Sequence, residues 1–338
     1  MKAHGIRGRV LEWIREWLRG RKQRVVLNGE RSEWMDVVSG VPQGSVLGPL
    51  LFIVYINDLD DEIINKILKF ADDTNALGRV KTEKERESMK KDLATLVKWS
   101  KDWQMSFNVD KCKVMNIGYH NKGENYEMEG RRLAKVEEMT VLGGVQNKDL
   151  KVSQQCCKAA SKGNQILGMI KRSISSRRKE IIVKLYKALV RPHLDYCVQA
   201  WRPHLAKDIL ILERVQKRAT KMIEECKGME YEERLKMVGL TSLEMRRNRA
   251  DLIEVYKILR GSEGLRIEDF FQVRARTGRG HRYKLYKSRF SLNVGKFSFG
   301  NRVCNGWNSL PDGVVEAESL NIFKGRLDHY LRDYGGLK

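Results

Sequence analysis

The chain has 338 residues, with 65 Lys and Arg against 43 Asp and Glu and a net charge of +22. Its longest apolar stretch, around residues 46–56, contains glycine and proline and is shorter than the roughly 20 residues that cross a bilayer, so we expect no membrane-spanning segment. The six cysteines show no CxxC spacing, and the N-terminus has no signal-peptide pattern. We therefore expect an intracellular protein, in the nucleus or the cytoplasm, with reduced cysteines and no disulfide scaffold.

The positive charge is unevenly distributed along the chain. Residues 1–150 hold 26 basic and 23 acidic residues, whereas residues 151–230 hold 18 and 7, and residues 231–338 hold 21 and 13. Such asymmetry is typical of a protein with a polyanionic partner. The alternative is that the excess serves only general solubility.

The first predicted elements are a helix over residues 5–19, ended by Gly20, and a β-hairpin turning at Asn28-Gly29. Residues 34–38 are predicted to return as the partner strand. They lead into residues 39–49, where three glycines and two prolines in eleven residues predict a shaped loop. Pro49 is well placed to open a helix, and a glycine-rich loop before a helix lets backbone amides approach a phosphate.

Two adjacent carboxylates, Asp72 and Asp73, lie between short apolar runs. We expect them at the tip of a β-hairpin, where one carboxylate faces a cleft. Carboxylate oxygens suit hard divalent cations, and two such ions can clamp the oxygens of a phosphoryl transfer. The alternative is a solvated turn, because Asp is a common turn residue.

Most of the remaining chain is predicted to be helical. A helix over residues 82–103 would begin with a capping box of Thr82 and Glu85. A strand would follow over residues 106–118, broken at residues 108–111. Further helices are predicted to end near Ile170, to span residues 178–190 and 208–223, and to run from Ser319 towards the end.

A basic stretch from Arg274 to Arg302 contains nine Lys or Arg, no acidic residue, and five interleaved aromatic residues. These aromatic side chains either stack on unpaired bases or belong to the core, and the sequence does not decide between the two interpretations. The candidate nucleic-acid-binding residues are Arg274, Arg276, Arg279, Arg282, Lys284, Lys287 and Arg289.

Three segments together resemble the palm of reverse transcriptases, specifically those of non-LTR (LINE-type, jockey-like) retrotransposons. They are Ser39 to Pro49, Ile56-Asn57-Asp58-Leu59 and Phe70-Ala71-Asp72-Asp73. The resemblance implies an α+β fold: a partial palm, an antiparallel sheet with packed helices, over residues 1–148. A helical thumb-like domain over 149–230 and a basic, mixed C-terminal region over 231–338 would follow.

The same resemblance implies the roles of the site residues. Asp72 and Asp73 would be catalytic and would bind Mg²⁺ or Mn²⁺, and the partners would be an RNA template, a DNA primer and a deoxynucleotide. The residues implied to contact the nucleotide or template are Gly40, Pro42, Gln43, Gly44, Phe70, Ala71 and Lys111.

The family also uses a third carboxylate, on a motif that precedes the matching segments. Residues 1–38 offer only Asp36, three residues before the loop and on the wrong element. We therefore expect an N-terminally truncated reverse transcriptase with an incomplete two-metal site, inactive alone. The alternative is a catalytically dead relic that only binds nucleic acid.

Overall fold

A computed structural model describes residues 1–118, 121, 123–262, 264–274 and 280–333. It is a mixed α and β structure, which confirms the predicted α+β class. The chain divides into two compact units, residues 1–136 and residues 137–338, referred to below as unit 1 and unit 2. The three-domain division drawn from the sequence stays a prediction.

In its described residues, unit 1 contains three α-helices and ten short strands. The helices are α1 (Gly8–Leu18), α2 (Leu47–Tyr55) and α3 (Glu83–Asp102). The strands are β1 (Lys22–Gln23), β2 (Val26–Leu27), β3 (Glu30–Arg31), β4 (Met35–Asp36), β5 (Lys66–Phe70), β6 (Asp73–Leu77), β7 (Lys113–Val114), β8 (Glu127–Met128), β9 (Arg131–Arg132) and β10 (Ala134–Lys135).

These strands pair two by two: β1 with β4, β2 with β3, β5 with β6 and β8 with β9 are antiparallel, and β7 with β10 is parallel. The predicted hairpin at Asn28-Gly29 is confirmed, since both residues have positive φ (51° and 90°), as a type I′ turn requires. The capping box is confirmed too, because Thr82 Oγ1 accepts from Glu85 N and Glu85 Oε2 accepts from Thr82 N.

The predicted strand over residues 106–118 is confirmed only in part. Val109–Lys111 form a 3₁₀ turn within the predicted break at residues 108–111, and only β7 is extended and paired. The Asn108 side chain accepts a hydrogen bond from Lys111 N, a local contact that competes with a β ladder. Val109 is buried by this turn.

Unit 1 has two small clusters of buried side chains, both against α3. One contains Met89, Val109, Tyr126, Met128 and Leu133; the other contains Ile56, Leu59, Leu96 and Trp99. Helix α2 is apolar on every side, yet only Gly48 and Leu51 are buried in it. A helix of that composition is normally enclosed in a core. Its Leu50 and Ile53 side chains are instead more than half exposed.

Unit 2 is built largely of helices. Where the structure describes it, its strands are β11 (Glu138–Val141), β12 (Gly144–Asn147), β13 (Gln272–Val273) and β14 (Leu285–Tyr286), paired as β11–β12 and β13–β14. Its helices are α4 (Ser153–Ser173), α5 (Lys179–Leu185), α6 (Arg191–Asp195), α7 (Val198–Trp201), α8 (Ala206–Lys221), α9 (Tyr231–Val238), α10 (Leu243–Leu259), α11 (Asn293–Lys296), α12 (Phe299–Asn308), α13 (Asp312–Val315) and α14 (Leu320–Asp333).

Two cores lie within unit 2, and α10 contributes to both. The first core gathers side chains of α4, α8 and the segment between them, and includes Leu243 at the start of α10. The second surrounds Trp307 and Phe323 and includes Leu252 and Tyr256 further along α10. The predicted helices of this region are confirmed, including a final helix that buries Phe323, Leu327 and Leu331.

A buried ion-pair network joins the elements around these cores. Asp251 on α10 is 1% exposed and accepts hydrogen bonds from Arg202 Nη1 (2.8 Å) and from Arg302 Nε (2.9 Å) and Nη2 (2.8 Å). Arg302 on α12 also donates to the carbonyl of Gln199 on α7 (2.8 Å). One carboxylate therefore ties three helical segments together.

The six cysteines are all free thiols, and Cys156, Cys226 and Cys304 are buried. In the part of the chain that the structure describes, no helix combines the length and the apolar character that a membrane span needs.

Candidate active site

Asp72 and Asp73 lie at the tip of a β-hairpin, as predicted. Strands β5 and β6 pair in register down to Phe70 opposite Asp73, which leaves Ala71 and Asp72 as a two-residue loop. Both aspartates are exposed, and within residues 1–118 neither carboxylate accepts a hydrogen bond or forms an ion pair. Their oxygens are therefore available to an external ligand.

The hairpin turn contains an unusual backbone conformation. Ala71 has a φ of 50°, whereas Asp72 does not have positive φ. Type II′ turns show this pattern, with positive φ at the first of their two central residues only. Glycine usually occupies such a position, because the Cβ of an L-residue crowds the neighbouring carbonyl there. Ala71 therefore holds local strain next to the two carboxylates.

Lys69 anchors the hairpin just below its tip. Its Nζ donates to the carbonyls of Ile56 (3.2 Å) and Asn57 (2.9 Å) and also contacts the Asp60 carboxylate. Lys69 lies opposite Thr74, one residue pair below Phe70 and Asp73. The segment that follows α2 therefore fixes the position of the tip.

A second anchor holds the base of the same hairpin. Asp92 on α3 is 1% exposed and accepts from Ile64 N (2.9 Å), Asn65 N (2.8 Å) and Asn65 Nδ2 (2.8 Å). The chain enters β5 directly after Asn65, so this carboxylate sets where the hairpin leaves α3. The sequence offered no signal for this role, because Asp92 and Asn65 are 27 residues apart.

The glycine-rich loop is confirmed as an irregular segment between β4 and α2. Gly40 and Gly44 have φ of 73° and 83°, which only glycine adopts without strain. Arg21 Nη2 donates to the carbonyl of Gly40 (2.6 Å), and its Nε donates to the Leu18 carbonyl at the end of α1 (3.0 Å). Arg21 thus fastens the loop to α1.

The loop packs closely on the helix that it leads into. Ser45 Oγ accepts from Gly48 N (3.0 Å) and donates to the Pro42 carbonyl (2.7 Å). A Cβ at Gly48 would come within 2.9 Å of Ser45 Oγ and 3.2 Å of the Pro42 carbonyl oxygen, so glycine is needed there. Helix α2 begins at Leu47, two residues before the proline that was expected to open it.

The predicted binding residues occupy three separate places in unit 1. Gly40, Pro42, Gln43 and Gly44 lie in the loop, Phe70 and Ala71 lie at the hairpin, and exposed Lys111 ends the 3₁₀ turn. The Phe70 side chain is 64% exposed. Within residues 1–118, no hydrogen bond or ion pair joins these three places. Their role in binding nucleotide or template stays a prediction.

The metal-binding capacity of the hairpin is partial. Two free, exposed carboxylates fit the preference of divalent cations for oxygen ligands. However, no group of three His, Cys, Asp or Glu that could hold a metal ion occurs among the described residues. A cavity of about 440 Å³ lies at the far end of the hairpin, lined by Asn65, Lys66 and Leu77 among others, and not at the carboxylates.

The predicted nucleic-acid-binding residues belong to unit 2. Arg274 and Lys284 flank the β13–β14 pair, where Arg274 N donates to the Lys284 carbonyl (2.8 Å). Arg282 pairs with Glu316 (3.6 Å). Exposed Arg289 and half-buried Lys287 follow β14, whereas Arg276 and Arg279 lie outside the described residues.

The paired carboxylates, the loop and the intervening helix all fall within residues 1–169, which match the family of reverse transcriptases (RNA-dependent DNA polymerases). This match covers half of the chain, and the protein belongs to that family. Reverse transcriptases use divalent metal ions.

Within the family, the chain is similar to polymerases of non-LTR mobile elements. The RNA-directed DNA polymerase from mobile element jockey of Drosophila funebris is 26% identical over 219 residues, covering 59% of this chain and 24% of that protein. Its Drosophila melanogaster counterpart is 26% identical over 213 residues, covering 57% and 23%. A probable RNA-directed DNA polymerase from transposon X-element of Drosophila melanogaster is 24% identical over 225 residues, covering 63% and 25%. The chain spans about a quarter of the length of these relatives.

Proposed function

We propose that this chain supplies part of the catalytic centre of an RNA-directed DNA polymerase, with unit 1 as a portion of the palm and α4–α8 as a thumb-like support for the template–primer. The observation that carries the proposal is the free Asp72–Asp73 pair on a hairpin tip, held at two points by Lys69 and Asp92. A rigidly placed pair of carboxylates is what a metal-dependent phosphoryl transfer needs.

Asp72 and Asp73 would hold Mg²⁺ or Mn²⁺, which would stabilise the charge that develops on the phosphoryl oxygens. The chain's own contribution is positional. Asp92 fixes the base of the hairpin and Lys69 its upper part, so the two carboxylates would keep one geometry as nucleotides exchange. Ala71 and exposed Phe70 would lie beside the incoming nucleotide, and Gln43 with its glycine neighbours against the template.

We further propose that the site needs a third carboxylate from additional polypeptide. The absence of a third acidic ligand among the described residues supports this. With only two carboxylates, the primer hydroxyl would be poorly activated. We therefore expect little or no extension by this chain alone.

The experiment is primer extension on an RNA template, with magnesium or manganese, using residues 1–338 with and without a second fragment that carries an aspartate motif from a jockey-like polymerase. We expect extension only with the fragment, and its loss in Asp72→Ala. The matched control is Asp102→Ala, an exposed aspartate at the end of α3. Extension that survives Asp72→Ala would remove Asp72 from the site, and strong extension by the chain alone would refute the need for a partner fragment.

A second candidate function is nucleic-acid binding without polymerisation. It is favoured by the charge of unit 2, where residues 137–338 hold 40 basic and 23 acidic residues. Phosphate contacts release counterions, so affinity would fall with salt at a log–log slope of about −0.7 to −0.9 for each phosphate neutralised. Salt-dependent binding, with no extension in any combination of fragments, would favour this function over the first.

A further inference from the structure

Residues 270–311 of unit 2 contain nine Lys or Arg and no Asp or Glu. Two of these cations are already paired, since Arg282 contacts Glu316 and Arg302 contacts buried Asp251. In the described part of this segment, the cations that form no ion pair are Arg274, Lys284, Lys287, Arg289 and Lys296. Free cations are therefore concentrated around the β13–β14 pair.

Three of the five interleaved aromatics are engaged inside the protein. Tyr283 lies between the guanidinium groups of Arg260 (5.5 Å) and Arg282 (4.9 Å). Phe297 stacks on His204, with ring centroids 3.9 Å apart and an interplanar angle of 8°. Phe299 packs against Phe271, with centroids 5.7 Å apart. These rings are partly buried and already have partners within the fold.

The other two aromatics, Tyr286 and Phe290, are in a different position. Their side chains are 45% and 41% exposed, and in the described structure neither ring contacts another aromatic ring. Tyr286 ends β14, and the Arg274 guanidinium lies 5.9 Å from its ring centroid. Lys287 and Arg289 lie between the two rings along the chain. These five residues, Arg274, Tyr286, Lys287, Arg289 and Phe290, are called the Tyr286 surface below.

We infer that the Tyr286 surface binds single-stranded nucleic acid in preference to duplex. Three cations without acidic partners can neutralise successive phosphates, and two exposed rings can stack on unpaired bases. The bases of a duplex are already stacked on one another, so a duplex can use only the cations. Selectivity for single strands therefore comes from the rings, and salt dependence comes from the cations.

An anionic lipid surface is the other polyanion that this region could meet, because Leu292 and Val294 are exposed nearby. The arrangement favours a nucleic acid for two reasons. Two cations separate the rings in the sequence, so the segment is not a continuous apolar run. The chain also belongs to a family that acts on nucleic acids. Acidic vesicles are therefore included in the test as a competitor.

The experiment uses the full chain in a chelator-containing buffer without nucleotides, so it does not depend on Asp72, Asp73 or polymerase activity. The affinities of a labelled 12-nucleotide single-stranded RNA and of the same sequence as a blunt duplex are measured at several salt concentrations. Replacing Tyr286 or Phe290 with Leu should weaken single-strand binding about tenfold each and duplex binding less than twofold, from roughly 1–3 kcal/mol for each stacked base.

Three further variants make the result decisive. Leu292→Ala removes an apolar side chain that has no ring and is more exposed than Tyr286 or Phe290, and it should change nothing. Tyr286→Trp keeps a stacking face and should preserve affinity, which separates lost stacking from lost folding. Combined Arg274→Ala, Lys287→Ala and Arg289→Ala should weaken both ligands and flatten their salt slopes.

Equal losses for single strand and duplex in the Leu variants, or no loss for either, would overturn the inference. So would tighter binding to phosphatidylserine vesicles than to RNA when that binding depends on Leu292. Selective binding that survives while primer extension fails would leave this surface intact and count only against the proposed polymerase.

Discussion

Unit 1 and unit 2 are stabilised in different ways. Unit 1 combines two small clusters of buried side chains, strands that are mostly two residues long, and an apolar helix that is largely exposed. It positions its chemical groups through polar contacts such as those of Lys69 and Asp92. Unit 2 has two large cores and a buried ion-pair network around Asp251. The unit with the candidate catalytic residues is thus the less self-sufficient one. Its geometry depends on a few individual side chains, so single substitutions test the difference directly.

The largest effect is expected for Asp251→Ala in unit 2. It leaves the guanidinium groups of Arg202 and Arg302 buried without their carboxylate, which should lower the free energy of unfolding by about 3–5 kcal/mol. Urea denaturation followed by far-UV circular dichroism measures it. The matched control is Asp328→Ala, whose partly exposed pair with Arg249 should contribute under about 1 kcal/mol. Equal effects of the two variants would contradict the central role of Asp251.

In unit 1, Asp92→Ala should have the next largest effect. It removes the acceptor of the Ile64 and Asn65 amides, and losing hydrogen bonds to a charged group costs about 1.5–3 kcal/mol. We expect faster hydrogen exchange across β5 and β6, with little change in α4 or α8. If exchange accelerated equally in both units, the polar anchoring of the hairpin would not be a local property of unit 1.

A gain in stability is expected for Ala71→Gly at the hairpin tip. Glycine adopts positive φ without the cost of about 1–2 kcal/mol that a Cβ carries there. This relief should exceed the extra chain entropy of glycine and stabilise the hairpin by a net of about 0.5–1 kcal/mol. Slower hydrogen exchange in β5 and β6 measures that gain. Ala76→Gly in β6 is the control and should have the opposite sign, because Ala76 packs against the unit 1 core. A loss of stability in Ala71→Gly would mean that Ala71 is not strained.

The smallest effect concerns pH and the first core of unit 2. Burial raises the pKa of the Glu213 carboxyl, although hydrogen bonds from Tyr231 and the Leu243 amide (3.0 Å) act in the opposite direction. A pKa above the unfolded value means that the folded state binds more protons, so stability is greatest below the unfolded pKa and falls as pH rises through the folded one. Between pH 7 and pH 5, the free energy of unfolding of the wild type should therefore rise relative to that of Glu213→Gln, as measured by urea titrations. A constant difference would contradict the raised pKa.

Features set by neighbouring residues were predictable from the sequence. The Asn28-Gly29 turn, the Thr82–Glu85 capping box and the Asp72–Asp73 hairpin tip each depend on residues within four positions of one another. Turn-forming and capping residues next to apolar runs were enough to predict where these features lie in the chain.

Features set by distant residues were not predictable. Lys69 had the pattern of a solvated strand residue, and its contact with Asn57 exists only once the hairpin folds against the segment after α2. Asp92 had the pattern of an exposed helix residue, and Asp251 meets Arg302 across 51 positions. Phe297 and Phe299 lie on either side of the first residue before α12 and pack against other rings of unit 2, so these two aromatics belong to the fold, one of the two alternatives left open by the sequence.

Helix α10 has a consequence for how unit 2 comes apart. Its first turn buries Leu243 in one core, and its later turns bury Leu252 and Tyr256 in the other. If the helix unfolds, both cores therefore lose side chains that pack within them. The two cores should therefore lose structure in a single cooperative transition instead of two. A protease that cuts between α8 and α10 would then release no long-lived fragment, and stability would be a property of the whole of unit 2 rather than of either core.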